Sequence, residues 1–135
     1  MQLRLYYADG GNHPVLGRVY HQCQEFIDGR DVARYQRYLA NTLSCIAQSV
    51  DDCDRVLAEI VMVEEGGKIE SEIEGNDVDV LISRDSVQVD INVNDEWIGQ
   101  PEGRFSLSEF KAVVSAWREF LQMPESLSSE VIIDL

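Results

Sequence analysis

No run of apolar residues in this chain approaches the roughly 18 that a membrane-spanning helix requires. The opening stretch, MQLRLYYADGG, has no apolar segment behind a basic end, so no secretory leader is expected. Cysteine is scarce: Cys23, Cys45 and Cys53 form an odd set without a CxxC pair, which favours a reducing compartment over a disulfide scaffold. These absences lead to the expectation of a cytoplasmic protein. Basic residues are also few, with 11 Lys and Arg against 25 Asp and Glu and a formal net charge of −14. Such a surface repels phosphate backbones and anionic lipid headgroups, so neither nucleic acid nor a membrane is an expected ligand. No Pro/Gly/Ser-rich linker divides the 135 residues. With 44% hydrophobic and 27% charged residues, the chain reads as one globular domain over 1–135.

Recognisable catalytic patterns are missing as well. His13 and His21 are the only histidines, and no nucleophile signature surrounds a Ser or Cys. If the segment around them is helical, His21 and Cys23 are two apart and point to different sides, which argues against a dyad. The densest ligand clusters, His21-x-Cys23 and Asp51-Asp52-Cys53-Asp54, have neither zinc spacing nor a calcium-loop frame, so no metal is expected. Gly10-Gly11 and Gly66-Gly67-Lys68 lack the phosphate-binding frames and read as turns. The expectation is a protein that is not an enzyme and carries no cofactor.

The hydrophobic periodicity supplies the elements. Gln2 to Tyr7 alternates as a half-buried strand, and Ala8 to Pro14 reads as a loop. Val15, Val19, Cys23, Phe26 and Ile27 suggest a short helix ending before Gly29. A longer one is expected from an Asp31 cap to about Val50, with Val32, Tyr35, Leu39, Leu43, Ile46 and Val50 as its core stripe. Asp51 and Asp52 fit the start of a further helix with Val56, Leu57, Ile60, Val61 and Val63 as its core face, stopped by Gly66-Gly67. The pattern then changes to period two. Ile69, Ser71 and Ile73 alternate with Glu70, Glu72 and Glu74; Val78, Val80 and Ile82 with Asp77, Asp79 and Leu81; Val87, Val89 and Ile91 with Gln88, Asp90 and Asn92. Gly75-Asn76, Arg84-Asp85 and Asn94-Asp95 supply the turns of an antiparallel meander. Ser106-Leu107-Ser108-Glu109 is a capping box that opens a last helix, whose stripe is Phe110, Val113, Val114, Trp117 and Leu121. The tail, Val131 to Leu135, is either a terminal strand or a packed extension. The predicted fold is α+β, a β-meander packed on amphipathic helices.

The acid is not spread evenly. Residues 64–103 carry twelve Asp and Glu against Lys68 and Arg84, so this segment accounts for −10 of the −14. The alternation sends Glu70, Glu72, Glu74, Asp77, Asp79 and Asp90 to the side opposite the Ile/Val set. Like charges opposed across strands destabilise a sheet. Such a face suits a basic protein partner, or is simply solvated. Trp97 is either an aromatic at its rim or a packing tryptophan. Glu70, Glu72, Glu74, Asp77, Asp79, Asp90 and Trp97 are therefore the candidate partner-binding residues.

The run GRFSLSEFKAVVSAWREFLQ, from Gly103 to Gln122 with Met123 and Pro124 beyond it, and the strand NDVDVLIS, from Asn76 to Ser83, together resemble immunity proteins of bacterial contact-dependent growth inhibition and related polymorphic toxin systems. The resemblance covers roughly the second half of the chain. It implies a small cytoplasmic protein that binds a cognate toxin domain and blocks its activity. Toxins of these systems are frequently nucleases with basic surfaces, in keeping with the acidic face. The resemblance transfers no individual toxin-contact residue. The rival expectation is a small homo-oligomeric structural or regulatory protein that uses the apolar tail as a self-interface. An exposed strand edge, the C-terminal strand among the candidates, offers docking by strand addition.

Overall fold

The computed structural model describes residues 1–135. Its first element is a hairpin longer than the alternation suggested: β1 (Gln2–His13) pairs antiparallel with β2 (Gly17–Ile27), setting Leu3 opposite Phe26 and Leu5 opposite Gln24. Two sequence expectations are corrected here. Ala8 to His13 is strand and not loop, because the register slips between Asp9 and Asn12 and absorbs the glycines as a bulge. Within it the Asp9 carboxylate accepts from the Gly11 N–H at 2.8 Å, and Gly11 takes φ +83°. The expected helix over Val15 to Ile27 is instead the hairpin turn at Val15-Leu16 followed by strand from Gly17. Val15, Val19, Cys23 and Ile27 are four apart, a step that fits a helical turn but is also a multiple of the strand's period of two. Pairing with β1 decides between the two.

The apolar tail becomes β7 (Glu130–Asp134), antiparallel to β1 on its other side, which gives a three-stranded sheet in the order β2-β1-β7. Leu135 N–H donates to Met1 O at 2.8 Å, so the first and last residues lie side by side.

Two helices follow the hairpin. α1 (Val32–Ile46) buries Tyr35, Tyr38, Leu39, Thr42 and Leu43. It ends at Ala47, short of the expected Val50, and Asp31 makes no side-chain cap bond. Ser49 instead opens α2 (Val50–Glu64) by accepting from Asp52 N at 3.1 Å, with Asp51 and Asp52 against the positive helix end. Gly66, at φ +80°, closes α2 in the left-handed conformation that glycine adopts without strain.

The meander forms as β3 (Glu70–Glu74), β4 (Val78–Ser83) and β5 (Val87–Ile91). Two 3₁₀ turns, Asp95–Trp97 and Pro101–Gly103, lead to β6 (Arg104–Phe105), and the four-stranded sheet has the order β3-β4-β5-β6. Val78, Val80, Ile82, Val87, Val89 and Ile91 are buried against α1 and α2. Ile69, expected to join this set, precedes the paired residues and is 89% exposed. Ser106 caps α3 (Leu107–Leu121) by accepting from Glu109 N at 3.2 Å. The reciprocal half of the capping box is absent, and the Glu109 carboxylate lies near the Tyr35 hydroxyl. α3 buries Phe110, Val113, Val114, Trp117 and Phe120. Phe120 stacks on Trp117 and meets Tyr7 of β1 at 4.7 Å between ring centroids. α1 touches both sheets, α2 lies on the four-stranded one and α3 on the three-stranded one, so the helices join the two sheets. The Trp117 indole N–H, buried, donates to Ala47 O at 2.6 Å and ties α3 to the corner between α1 and α2.

Gly103 sits where no side chain fits. A Cβ there would run into the Val89 carbonyl oxygen and lie 3.1 Å from the Tyr38 ring. The backbone of β5 cannot give way without breaking its ladder. Gly103→Ala should therefore lower stability by about 1–3 kcal/mol, read as a reduced urea midpoint at unchanged m-value.

Candidate functional site

The pleat of the four-stranded sheet sorts its side chains. Because the valines and isoleucines face the helices, their neighbours Glu70, Glu72 and Glu74 of β3, Asp79 and Leu81 of β4, and Gln88 and Asp90 of β5 take the opposite face. Register then does what composition cannot. Glu74 lies opposite Asp79, and Asp79 opposite Asp90, so three carboxylates form one row across three strands. The next row is Glu72, Leu81, Gln88 and Arg104. Glu70, Glu72, Glu74 and Asp77 are exposed, whereas Asp79 and Asp90 are half-buried.

The molecule leaves this charge uncompensated. Seven ion pairs are present and none contains any of these six carboxylates. Among the twelve acids between 64 and 103, only Glu64 is paired, with Lys111 at 2.9 Å. Neutral donors hold two members in place: Asn92 Nδ2 reaches Asp79 at 3.0 Å and Gly99 N–H reaches Asp90 at 2.7 Å. Glu70, Glu72, Glu74 and Asp77 have no hydrogen-bonded side-chain partner. Of the candidate residues, Trp97 stands apart. It is half-buried against the core with the Arg37 guanidinium 4.8 Å over its ring, a packing arrangement that faces α1.

The acids with cationic partners lie elsewhere. Glu59 on α2 receives Lys68 at 2.8 Å and the Ser71 hydroxyl at 2.5 Å, which together hold its carboxyl below the usual range. Lys68, next to Gly66-Gly67, is thereby committed to a structural contact. Of the remaining sequence clusters, Asp51 and Asp52 occupy the first turn of α2. His13 Nδ1 accepts from the Val15 and Leu16 amides, both at 3.1 Å, and so closes the hairpin turn. His21 and Cys23 share a face of β2, which overturns the helix-based argument that separated them. The Cys23 thiol nevertheless bonds the His21 carbonyl oxygen, at 3.6 Å. No group of three His, Cys, Asp or Glu side chains is gathered closely enough to hold a metal ion. No helix is long and apolar enough to cross a membrane.

The alternation placed five of the six carboxylates on this face, whereas Asp77 lies in the turn before β4, and it missed the Glu74–Asp79–Asp90 row and the half-exposed Leu81 beside it. The expected loop at Gly75-Asn76 would have set Glu74 opposite Asp77; the loop is instead Asn76-Asp77, one residue on, with Gly75 bonded to Val78 and Glu74 opposite Asp79. Compared with protein-family models, curated proteins and solved structures, the chain matches none of them.

Two outcomes follow. Asp79→Asn removes the middle charge of the row while keeping an acceptor for Asn92, so stability should rise by about 0.2–1 kcal/mol, more at low salt, in urea titrations. Burial, and then Asp52 and Asp54, push the Cys53 thiol from its ordinary 9.0 up to about 11. The unfolded chain ionises first, so stability should fall as pH climbs from 9 towards 11, and Cys53→Ala should flatten that decline.

Proposed function

We propose that this protein is a protein-binding module whose acidic sheet face docks on a basic partner. Following the resemblance of residues 76–83 and 103–122, we take that partner to be the toxin domain of a polymorphic toxin system, which the bound chain blocks. The observation that supports this best is the Glu74–Asp79–Asp90 row, in which like charges are held opposite one another and none is ion-paired within the chain. A sheet gains nothing in stability from such a row. A basic surface arriving from outside would relieve the repulsion, and the field of the face would accelerate its approach.

A self-association role through the apolar tail has less in its favour. Val131 is buried, Ile133 half-buried, and the segment pairs with β1 of its own chain, which leaves Ile132 as the exposed apolar residue of β7.

Reversing charge with Glu72→Lys, Asp79→Lys and Asp90→Lys together should slow association with the partner on the order of tenfold or more and flatten its salt dependence. Stopped-flow mixing across a salt series measures both, with circular dichroism checking the fold. Unchanged rates would reject the acidic face. The toxin assignment has its own check. The C-terminal domain encoded by the adjacent reading frame should arrest growth when expressed alone and spare cells that also make this chain.

A further inference from the structure

Four strands lie at sheet edges, and they differ in how they are finished. The inner end of β2 is stitched by α1: Gln36 donates to Gln24 O at 2.7 Å and accepts from Phe26 N at 3.2 Å. β6 is held in the same way, with Arg34 donating to the carbonyl oxygens of Glu102 at 2.9 Å and Arg104 at 3.0 Å. β7 keeps an open edge, but its acids are already engaged, Glu130 by Arg4 at 2.6 Å and Asp134 by Gln2 at 3.2 Å. β3 alone combines an open edge with unengaged charge.

The register shows which groups of β3 are free. Gly75 N–H donates to Val78 O at 2.8 Å, so Gly75 and Val78 form a bonded pair, and the alternation of an antiparallel ladder places Ile73 and Ser71 in bonded positions too. The amides and carbonyls of Glu70, Glu72 and Glu74 therefore point away from β4. Their carboxylates occupy the outer face. On the other side of the same edge lies an open groove of about 840 Å³ between β3 and the corner of α1 and α2, where Ile46, Val56 and Ile73 stand beside the charged Asp52, Arg55 and Glu59.

We infer that the free edge of β3 receives an extended segment of the partner, one that alternates Lys or Arg with apolar β-branched residues. This rests on the docking role proposed above and names the element that carries it. Backbone bonds from the segment would satisfy the three outward amides and carbonyls. Its cations would lie beside Glu70, Glu72 and Glu74, and its apolar side chains, on the opposite face, would enter the groove.

A short capped peptide alternating lysine and valine is the probe. Bound to the full chain, it should slow amide exchange at Glu70, Glu72 and Glu74 about tenfold and leave the β7 amides unchanged, as followed by NMR. Glu72→Pro removes an N–H that the fold does not use, so β3 should stay paired with β4 while peptide affinity falls about tenfold or more. The same peptide N-methylated at alternate amides keeps every side chain and should also lose its affinity for the unaltered protein, a comparison that needs no folded variant. Equal binding of the N-methylated peptide, or protection at β7 in place of β3, overturns strand addition. In that case a loss of binding in the triple charge-reversal variant would leave the acidic-face reading standing, and no loss would remove both.

Discussion

Six side chains, Val78, Val80, Ile82, Val87, Val89 and Ile91, press on α1 and α2, and they fix the orientation of the four-stranded sheet. In a pleated strand neighbours must point opposite ways, so burying these six turns Asp79, Leu81, Gln88 and Asp90 outwards. A slip of one residue in β4 would reverse the set, bringing Asp79 into the core and Val80 into water. Burying an unpaired carboxylate is far costlier than the repulsion it suffers outside. The charge on the outer face is thus a consequence of the packing on the inner one.

The chain's cations reinforce this division. Arg4 and Arg118 cross between elements to Glu130 and Asp54, and Lys111 reaches Glu64. Arg34 holds two carbonyl oxygens next to β6 while its guanidinium stacks over Tyr35 and Phe105. Each of these contacts joins elements distant in sequence, and none approaches the acidic row. These cations join the fold's own elements, and the unpaired negative charge is left on a sheet face that no helix covers.

Where a single local rule governs, the sequence could be read directly. The cap at Ser106, the stop at Gly66 and the alternation through β4 and β5 each depend on neighbours a few residues away, and each was legible. Where two periods coincide or distant segments must meet, reading failed. The spacing of Val15, Val19, Cys23 and Ile27 satisfies helix and strand alike, and only pairing with β1 selects the strand. The division into two sheets depends on β7 finding β1, a contact that no window along the chain contains. Glu109 carried the right residue type for a reciprocal cap but has a buried tyrosine within reach, whose hydroxyl burial and that carboxylate push up to about 12. At the candidate site, the face was legible from period two, whereas the row across it required the register and the packing of Trp97 required α1.

The meeting of β1 and β7 bears on how the molecule comes to be made. Gln2 and Asp134 are 132 positions apart and hydrogen-bonded, so the strand at the centre of the smaller sheet leaves the ribosome long before one of its two neighbours. Until that neighbour emerges, β1 has a bare flank with Leu3 and Leu5 in it, the kind of unpaired edge that invites association with other chains. Closing the sheet also brings together residues 132 positions apart, an entropically demanding event. Glu130 to Asp134 therefore act as a latch, and a nascent chain stalled just before them would leave β1 exposed to the cell.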